Sequence, residues 1–261
     1  MAYLNIGGRE YYYVWRGHPQ RGAPALVFLH DGLGAVRSWR AVPEQLVEQT
    51  GLPALVYDRW GYGRSGARPD FPYAFMESEV EPLGVLLREL GIPRAHLVGH
   101  SDGGSIALLF AAAHPERVLT LTSEAAHVFV EPVTQAGIRE LVAMQHARRT
   151  PPWLAKLHGA RSEELLRIWS AGWLSDEHAR WNIAAAVRHV RCPLLAIQGD
   201  RDEFGTLAQL DAIQRQAPHA ERWVVPGSGH TPHVQQEARY VERVARFIAS
   251  HGWGGRTDGR G

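Results

Sequence analysis

A single cysteine, Cys192, stands among 261 residues, so no internal disulfide can form and a reducing cytoplasm is the expected setting. The opening residues, MAYLNIGGREYYYVW, lack a basic segment followed by an apolar stretch, and no secretory signal is expected. No apolar run approaches the roughly 20 residues that cross a bilayer, so no membrane association is expected either. Charge is also short of either sign: 28 basic residues face 27 acidic ones, for a net +1. That balance gives no electrostatic case for nucleic acid or an acidic surface. Internal repeats are absent. What remains is a globular enzyme or binding protein for a small molecule, working as a monomer or homodimer.

Short aliphatic runs alternate with longer helical stretches, the pattern of a mostly parallel sheet covered on both faces. Strands are predicted at Ala2–Ile6 and Arg9–Arg16, joined by Gly7-Gly8, and at Ala25–His30, Ala54–Asp58 and Ala95–His100. Val118–Ser123, Leu194–Gly199 and Arg222–Val225 complete the set. Helices are predicted over Ser38–Gln49, Phe75–Leu90, Gly103–Ala113, Thr206–Gln216 and Val234–Ser250. The alternation fails between residues 131 and 188, where no strand signal occurs but Trp153, Trp169, Trp173 and Trp181 recur. This stretch reads as a helical cap inserted into a core made of 1–130 and 189–251, with 252–261 as a flexible glycine-rich tail. Its tryptophans either pack a small subdomain or line an apolar pocket.

The stretch Gly99-His100-Ser101-Asp102-Gly103 closes a predicted strand and opens a predicted helix, the context of a nucleophile elbow. A serine in so sharp a turn needs small residues two positions away, and the helix N-terminus behind it favours negative charge. Glycine packing alone would also explain the turn. A serine hydroxyl needs a base, and His230 follows the last strand in the loop Pro226-Gly227-Ser228-Gly229-His230. His233 is the nearest rival. His230 and His233 also form an H-x-x-H without a companion carboxylate motif, and no metal is expected. For the acid that orients the base, Asp202 is preferred, with Asp200 second, Glu203 beside them and Glu124 an outside candidate. Oxyanion donors are expected at the amide of Gly32, or its neighbour Leu33, and at the amide of Asp102. His30 reads as a brace for that loop. Gly61-x-Gly63-x-x-Gly66 matches a dinucleotide fingerprint, but Ala67-Arg68-Pro69 cannot open the helix it requires.

Taken in order, "HDGLG", "YDRWGYGRSG", "GHSDGG", the helical insertion, "QGDRDEFG" and "GSGH" make the chain resemble the α/β-hydrolase superfamily along nearly its full length. The resemblance implies an eight-stranded, mostly parallel sheet flanked by helices, with a cap after the sixth strand. It implies Ser101, Asp202 and His230 as the triad and no cofactor. Two residues depart from the usual pattern: Asp31 replaces a glycine in the oxyanion loop, and Asp102 follows the nucleophile. Both add negative charge, which would favour a protonated His230 and discourage anionic groups close to Ser101.

The expected activity is cleavage of a carboxylic ester or thioester of a small, largely apolar substrate through an acyl-enzyme. The substrate pocket is expected to use His30, Asp31, Leu33, His127, Phe129, Trp153, Trp169, Trp173 and Phe204. C–C bond hydrolysis, lactone hydrolysis and proline iminopeptidase-like action use the same triad, as do acyl transfer and cofactor-free haloperoxidation. The aminopeptidase reading needs carboxylates in the cap, for which Glu131, Glu140, Glu163 and Glu164 are available. A non-catalytic ligand-binding homologue is the remaining alternative.

Overall fold

The buried aliphatic runs become strands because each can place both faces of its pleat against a covering layer. In the computed structural model, which describes residues 2–147 and 151–251, they are β1 (Ala2–Ile6), β2 (Arg9–Arg16), β3 (Ala25–Leu29) and β4 (Ala54–Tyr57). β5 (Ala95–His100), β6 (Val118–Glu124), β7 (Leu194–Gly199) and β8 (Glu221–Val225) follow. They form one eight-stranded sheet in the order β1-β2-β4-β3-β5-β6-β7-β8. The pairings β1/β2 and β2/β4 are antiparallel and the rest parallel, so the C-terminal ends of β3, β5, β6, β7 and β8 open on one edge. The tail expected at 252–261 lies outside the described residues.

The strands alternate their side chains between two cores. Val27, Leu29 and Leu97 share one core with residues of α2 (Val80–Glu89), α3 (Asp102–Ala113) and α8 (Ala208–Gln216). Leu26, Phe28 and Val98 meet α1 (Val42–Thr50) and α10 (Glu237–Ser250) on the other face. The helical spacing in the last helix is matched by burial of Tyr240, Val241, Val244, Phe247 and Ile248.

Several helices start later than their apolar patterns predict. Proline lacks the N–H that a helix interior needs, so Pro43 and Pro82 fall in the first turns of α1 and α2, preceded by 3-10 turns at Val36–Trp39 and Glu77–Glu79. The helix predicted from Thr206 starts at Ala208, because the amide and hydroxyl of Thr206 are tied to Glu131. The stretch predicted as one helix from Val234 divides into α9 (Pro232–Gln235) and α10, with a turn at Gln236 between them. Gln235 accepts from Ser228 and Gly229 while Gln236 donates to the Pro226 carbonyl, which pins this bend to the turn after β8.

Between β6 and β7 the described residues form α4 (Pro132–His146), α5 (Pro152–His158), α6 (Ser162–Trp173) and α7 (Ala184–Val187). Leu154, Leu165, Leu166, Trp169, Trp173 and Trp181 join this segment to the core on the α3 side of the sheet. Its two ends are stitched together, since the Ile183 amide donates to the Val128 carbonyl at 2.7 Å and Phe129 bridges Asn182. No helix among the described residues is long and apolar enough to cross a membrane.

Phe28 is fully buried in the middle of the sheet and meets Trp39 edge-on at 5.1 Å. Phe28→Ala is expected to lower the unfolding free energy by about 3–5 kcal/mol in urea denaturation. A loss below about 1 kcal/mol would show that this face of the sheet collapses around the cavity.

Candidate active site

β5 ends in a turn that the backbone of Ser101 takes with φ +53° and ψ −121°, a region costly for a residue with a side chain. The turn is held from both sides. The Ser101 amide donates to the Glu124 carbonyl at the end of β6. On the other side, a Cβ at Gly103 would lie 2.1 Å from the carbonyl oxygen of Leu29. Only glycine lets the first turn of α3 approach β3 this closely. Ser101 therefore sits at the head of α3, where the first amides have no partner within the helix.

His230 and Asp202 arrive from two other strand ends. His230 Nε2 lies 2.9 Å from Ser101 Oγ, and its Nδ1 lies 2.8 and 2.9 Å from the two oxygens of Asp202. Asp202 also accepts from the amides of Phe204 and Gly205 and from the Gln198 amide side chain. Burial alone would raise the Asp202 carboxyl, but His230 and the Phe204 amide overcome it and hold it below the usual range. The rival acids are engaged elsewhere. Asp200 accepts from the Gly227 amide, Glu203 from the His230 amide, and Glu124 from the amide and Nδ1 of His233. These bonds shape the loop around His230 without reaching its ring.

Among the described residues, no hydrogen bond uses the amides of Gly32, Leu33 or Asp102. Trp169 from α6 packs on Gly32 so closely that a Cβ there would lie 2.6 Å from its indole nitrogen. The same nitrogen donates to Asp102 Oδ2 at 3.3 Å.

The two unexpected carboxylates both meet cations that sequence reading did not find. Asp102 is buried against Arg59, with 3.4 Å between Oδ2 and Nη2, and Arg59 in turn donates to the Asp31 carbonyl and covers the face of Tyr62. Asp31 lies 3.7 Å from His100 Nδ1, while His100 Nε2 donates to the His230 carbonyl at 2.8 Å. Burial would lower His100, yet Glu124 and Asp31 push it up to about 9. His100, Glu124 and His233 also bring one ligand atom each within 4.8 Å of one another. That cluster is already held by its internal bonds to Asp31, His230 and the amide of His233. The extra negative charge that the sequence placed around Ser101 is therefore balanced on both sides. No feature of the sequence pattern pairs Arg59 with Asp102, because the two lie 43 positions apart, one in the loop after β4 and the other at the head of α3.

A cavity of about 590 Å³ opens over Ser101 and His230. Asp31, Leu33, His127, Trp153, Trp169, Trp173 and Phe204 line it as expected, and α4 adds Val133, Ile138, Leu141 and Met144, which the sequence did not single out. Two expected residues are absent from the lining. His30 is buried behind the loop, donating from Nδ1 to the Asp31 carbonyl and accepting the Arg59 amide at Nε2. Phe129 is turned away by its bridge to Asn182 at the base of the insertion. Of the four acids weighed in that insertion, Glu140 reaches the cavity. Glu131 is bound to Thr206 and Gln209, and Glu164 pairs with Arg167 at the surface.

Residues 24–185 match the family of proteins with the alpha/beta hydrolase fold. The chain belongs to that family. This hydrolase is 24% identical over 287 residues to the proline iminopeptidase of Lactiplantibacillus plantarum, covering 95% of this chain and 100% of that protein. It is 26% identical over 254 residues to the sn-1-specific diacylglycerol lipase ABHD11 of Mus musculus, covering 87% and 81%. The enol-lactonase of Burkholderia xenovorans superposes with a TM-score of 0.75 at 19% identity, over 95% of this chain and 100% of that one. The hydrolase fold is thus shared with proteins named for peptide, lipid and lactone chemistry.

Removing one partner of a buried ion pair leaves the other charge without compensation. Arg59→Met is expected to cost about 3–5 kcal/mol, and adding Asp102→Asn should recover part of it in urea denaturation. Fully additive losses would show that the two charges do not interact. His100 gives a pH signature. Its folded value of about 9 exceeds the roughly 6.5 of an unfolded imidazole. The folded state holds the extra proton, so this contribution is complete below about pH 6.5 and is lost as the pH rises through about 9. His100→Gln is expected to flatten the alkaline fall of the melting temperature, and an unaltered fall would assign it to another group.

Proposed function

We propose that this hydrolase cleaves a carboxylic ester or thioester of a small, largely apolar substrate through an acyl-enzyme on Ser101. The reading rests above all on the unbroken line from Ser101 Oγ through His230 to Asp202, with separations of 2.9 and 2.8 Å. His230 Nε2 takes the proton as Ser101 Oγ attacks the carbonyl, and Asp202 keeps the Nδ1 proton in place and stabilises the imidazolium. The amides of Gly32 and Asp102 receive the oxyanion. When the tetrahedral intermediate collapses, His230 gives its proton to the leaving oxygen or sulfur. A water deprotonated by the same ring then attacks the acyl-serine, and the acid leaves. The α4–α7 segment serves as a cap whose apolar residues hold the acyl chain.

One observation favours a second reading, in which the acyl part carries an ammonium or hydroxyl. Asp102 Oδ1 is buried without a hydrogen-bond partner, and so is His127 Nδ1. His127 donates from Nε2 to the Phe204 carbonyl, and burial with the nearby His230 lowers its basicity, so Nδ1 offers a lone pair. Both residues line the cavity with Glu140. A donor on the substrate would satisfy these acceptors, in keeping with the likeness to proline iminopeptidases.

A fluorophosphonate probe is expected to label the wild type and not Ser101→Ala; labelling that survives the substitution removes Ser101 from the mechanism. Asp202→Asn is expected to lower kcat for p-nitrophenyl butyrate by roughly 10⁴, the loss found when this acid is neutralised in the Ser-His-Asp template. Turnover of proline arylamides with none of the butyrate would replace the first reading by the second.

A further inference from the structure

A second cavity of about 380 Å³ adjoins the catalytic one and shares Asp31, Trp153 and Thr231 with it. The two differ in the sign of the charged side chains that line them. Among the described residues, the catalytic cavity is lined by the carboxylates of Asp31, Asp102, Glu140 and Glu203 and by no lysine or arginine. The adjoining cavity is lined by Arg37, Arg40 and Lys156, and Asp31 is its one carboxylate. Asp31 already faces His100 at 3.7 Å, and none of the three cations is in an ion pair among the described residues. They come from two elements that meet at the mouth. Arg37 and Arg40 belong to the turn after β3, Lys156 belongs to α5, and an Arg37 guanidinium nitrogen donates to the Lys156 carbonyl. Convergence of three exposed, unpaired cations on one concave site costs electrostatic energy that an anion would relieve.

The position of this cavity says which part of the substrate it receives. The leaving atom takes its proton from His230, so the leaving group departs on the His230 side of the scissile bond. Thr231, His233 and Val234, which follow His230 in the chain, line the second cavity, whereas the apolar side chains of α4 line the first. We propose that Arg37, Arg40 and Lys156 form a subsite for an anionic group, phosphate or carboxylate, carried on the leaving alcohol or thiol. The acyl part occupies the cavity under α4. This assignment of the two ends rests on the serine-hydrolase reading. It also reconciles Asp31 and Asp102 with a charged substrate, because the anion is held away from Ser101.

Two matched pairs test it, each differing in one anionic group: S-butanoyl-4′-phosphopantetheine against S-butanoylpantetheine, and the butanoyl ester of 4-hydroxybenzoate against that of its methyl ester. The wild type at low salt is expected to favour the anionic member of at least one pair by more than tenfold in kcat/KM, mainly through KM. The pair that responds separates a phosphate from a carboxylate. Arg37→Gln/Arg40→Gln/Lys156→Gln should cut that preference at least fivefold, and 0.5 M salt should shrink it by screening. Arg94→Gln/Arg215→Gln/Arg246→Gln removes equal charge from exposed positions at the opposite end of the sheet and should leave the preference intact. No preference in either pair, or a preference that survives the first triple variant, overturns the subsite. If Ser101 resists fluorophosphonate the hydrolase reading fails separately, and if none of the four substrates turns over, labelled or not, binding is measured directly. Calorimetric titration with 4′-phosphopantetheine and 4-hydroxybenzoate then decides the subsite alone. Binding that the first triple variant abolishes sustains it, and no binding refutes it.

Discussion

The site depends on a backbone held where a serine does not rest of its own accord. Ser101 keeps φ at +53° because β5, β6 and the first turn of α3 leave it no other path. Such a conformation costs on the order of 1–3 kcal/mol, met by the packing of three central elements. In return the hydroxyl stands clear of the sheet above the unpaired amides of a helix start. Parallel strands then bring the ends of β7 and β8 to the same edge, so two loops far apart in the chain deliver Asp202 and His230. A sheet with another strand order would carry the same motifs without assembling them.

Around that turn, charge is matched pair by pair. Arg59 answers Asp102, and His100, between Glu124 and Asp31, answers the carboxylate in the loop after β3. Each pair joins different elements: the loop after β4 to the head of α3, and the end of β5 to the loop after β3. His100 extends this linkage to the His230 carbonyl. Buried pairs of this kind add little net stability, but they penalise any shift that would separate the partners. Their effect is to fix the segments around Ser101 and His230 relative to one another.

The segment between β6 and β7 gives the site its walls. Trp169 touches both Gly32 and Asp102, so the α4–α7 segment and the loop after β3 cannot be positioned independently. Trp173 and Trp181 are fully buried, while Trp153 remains exposed at the mouth and borders both cavities. The recurring tryptophans thus divide between core packing and lining, a division that spacing alone does not reveal.

From the sequence alone came the strand and helix order, the glycine-flanked serine, the histidine after the last strand and the acid three residues beyond Gly199. These are local properties: apolar periodicity, turn chemistry and the steric demand of one sharp turn. Where the reading missed, a neighbour decided. Prolines shifted the helix starts, the Asn182 bridge turned Phe129 away, and the hydrogen bonds of His30 drew it behind the loop. Only the tertiary structure could match Asp102 with Arg59, bring Glu140 to the cavity and line two adjoining cavities with side chains of opposite sign. Those outcomes depend on distances between residues remote in the chain, and residue identity supplies the charges, donors and acceptors while distance and burial set how strongly they interact.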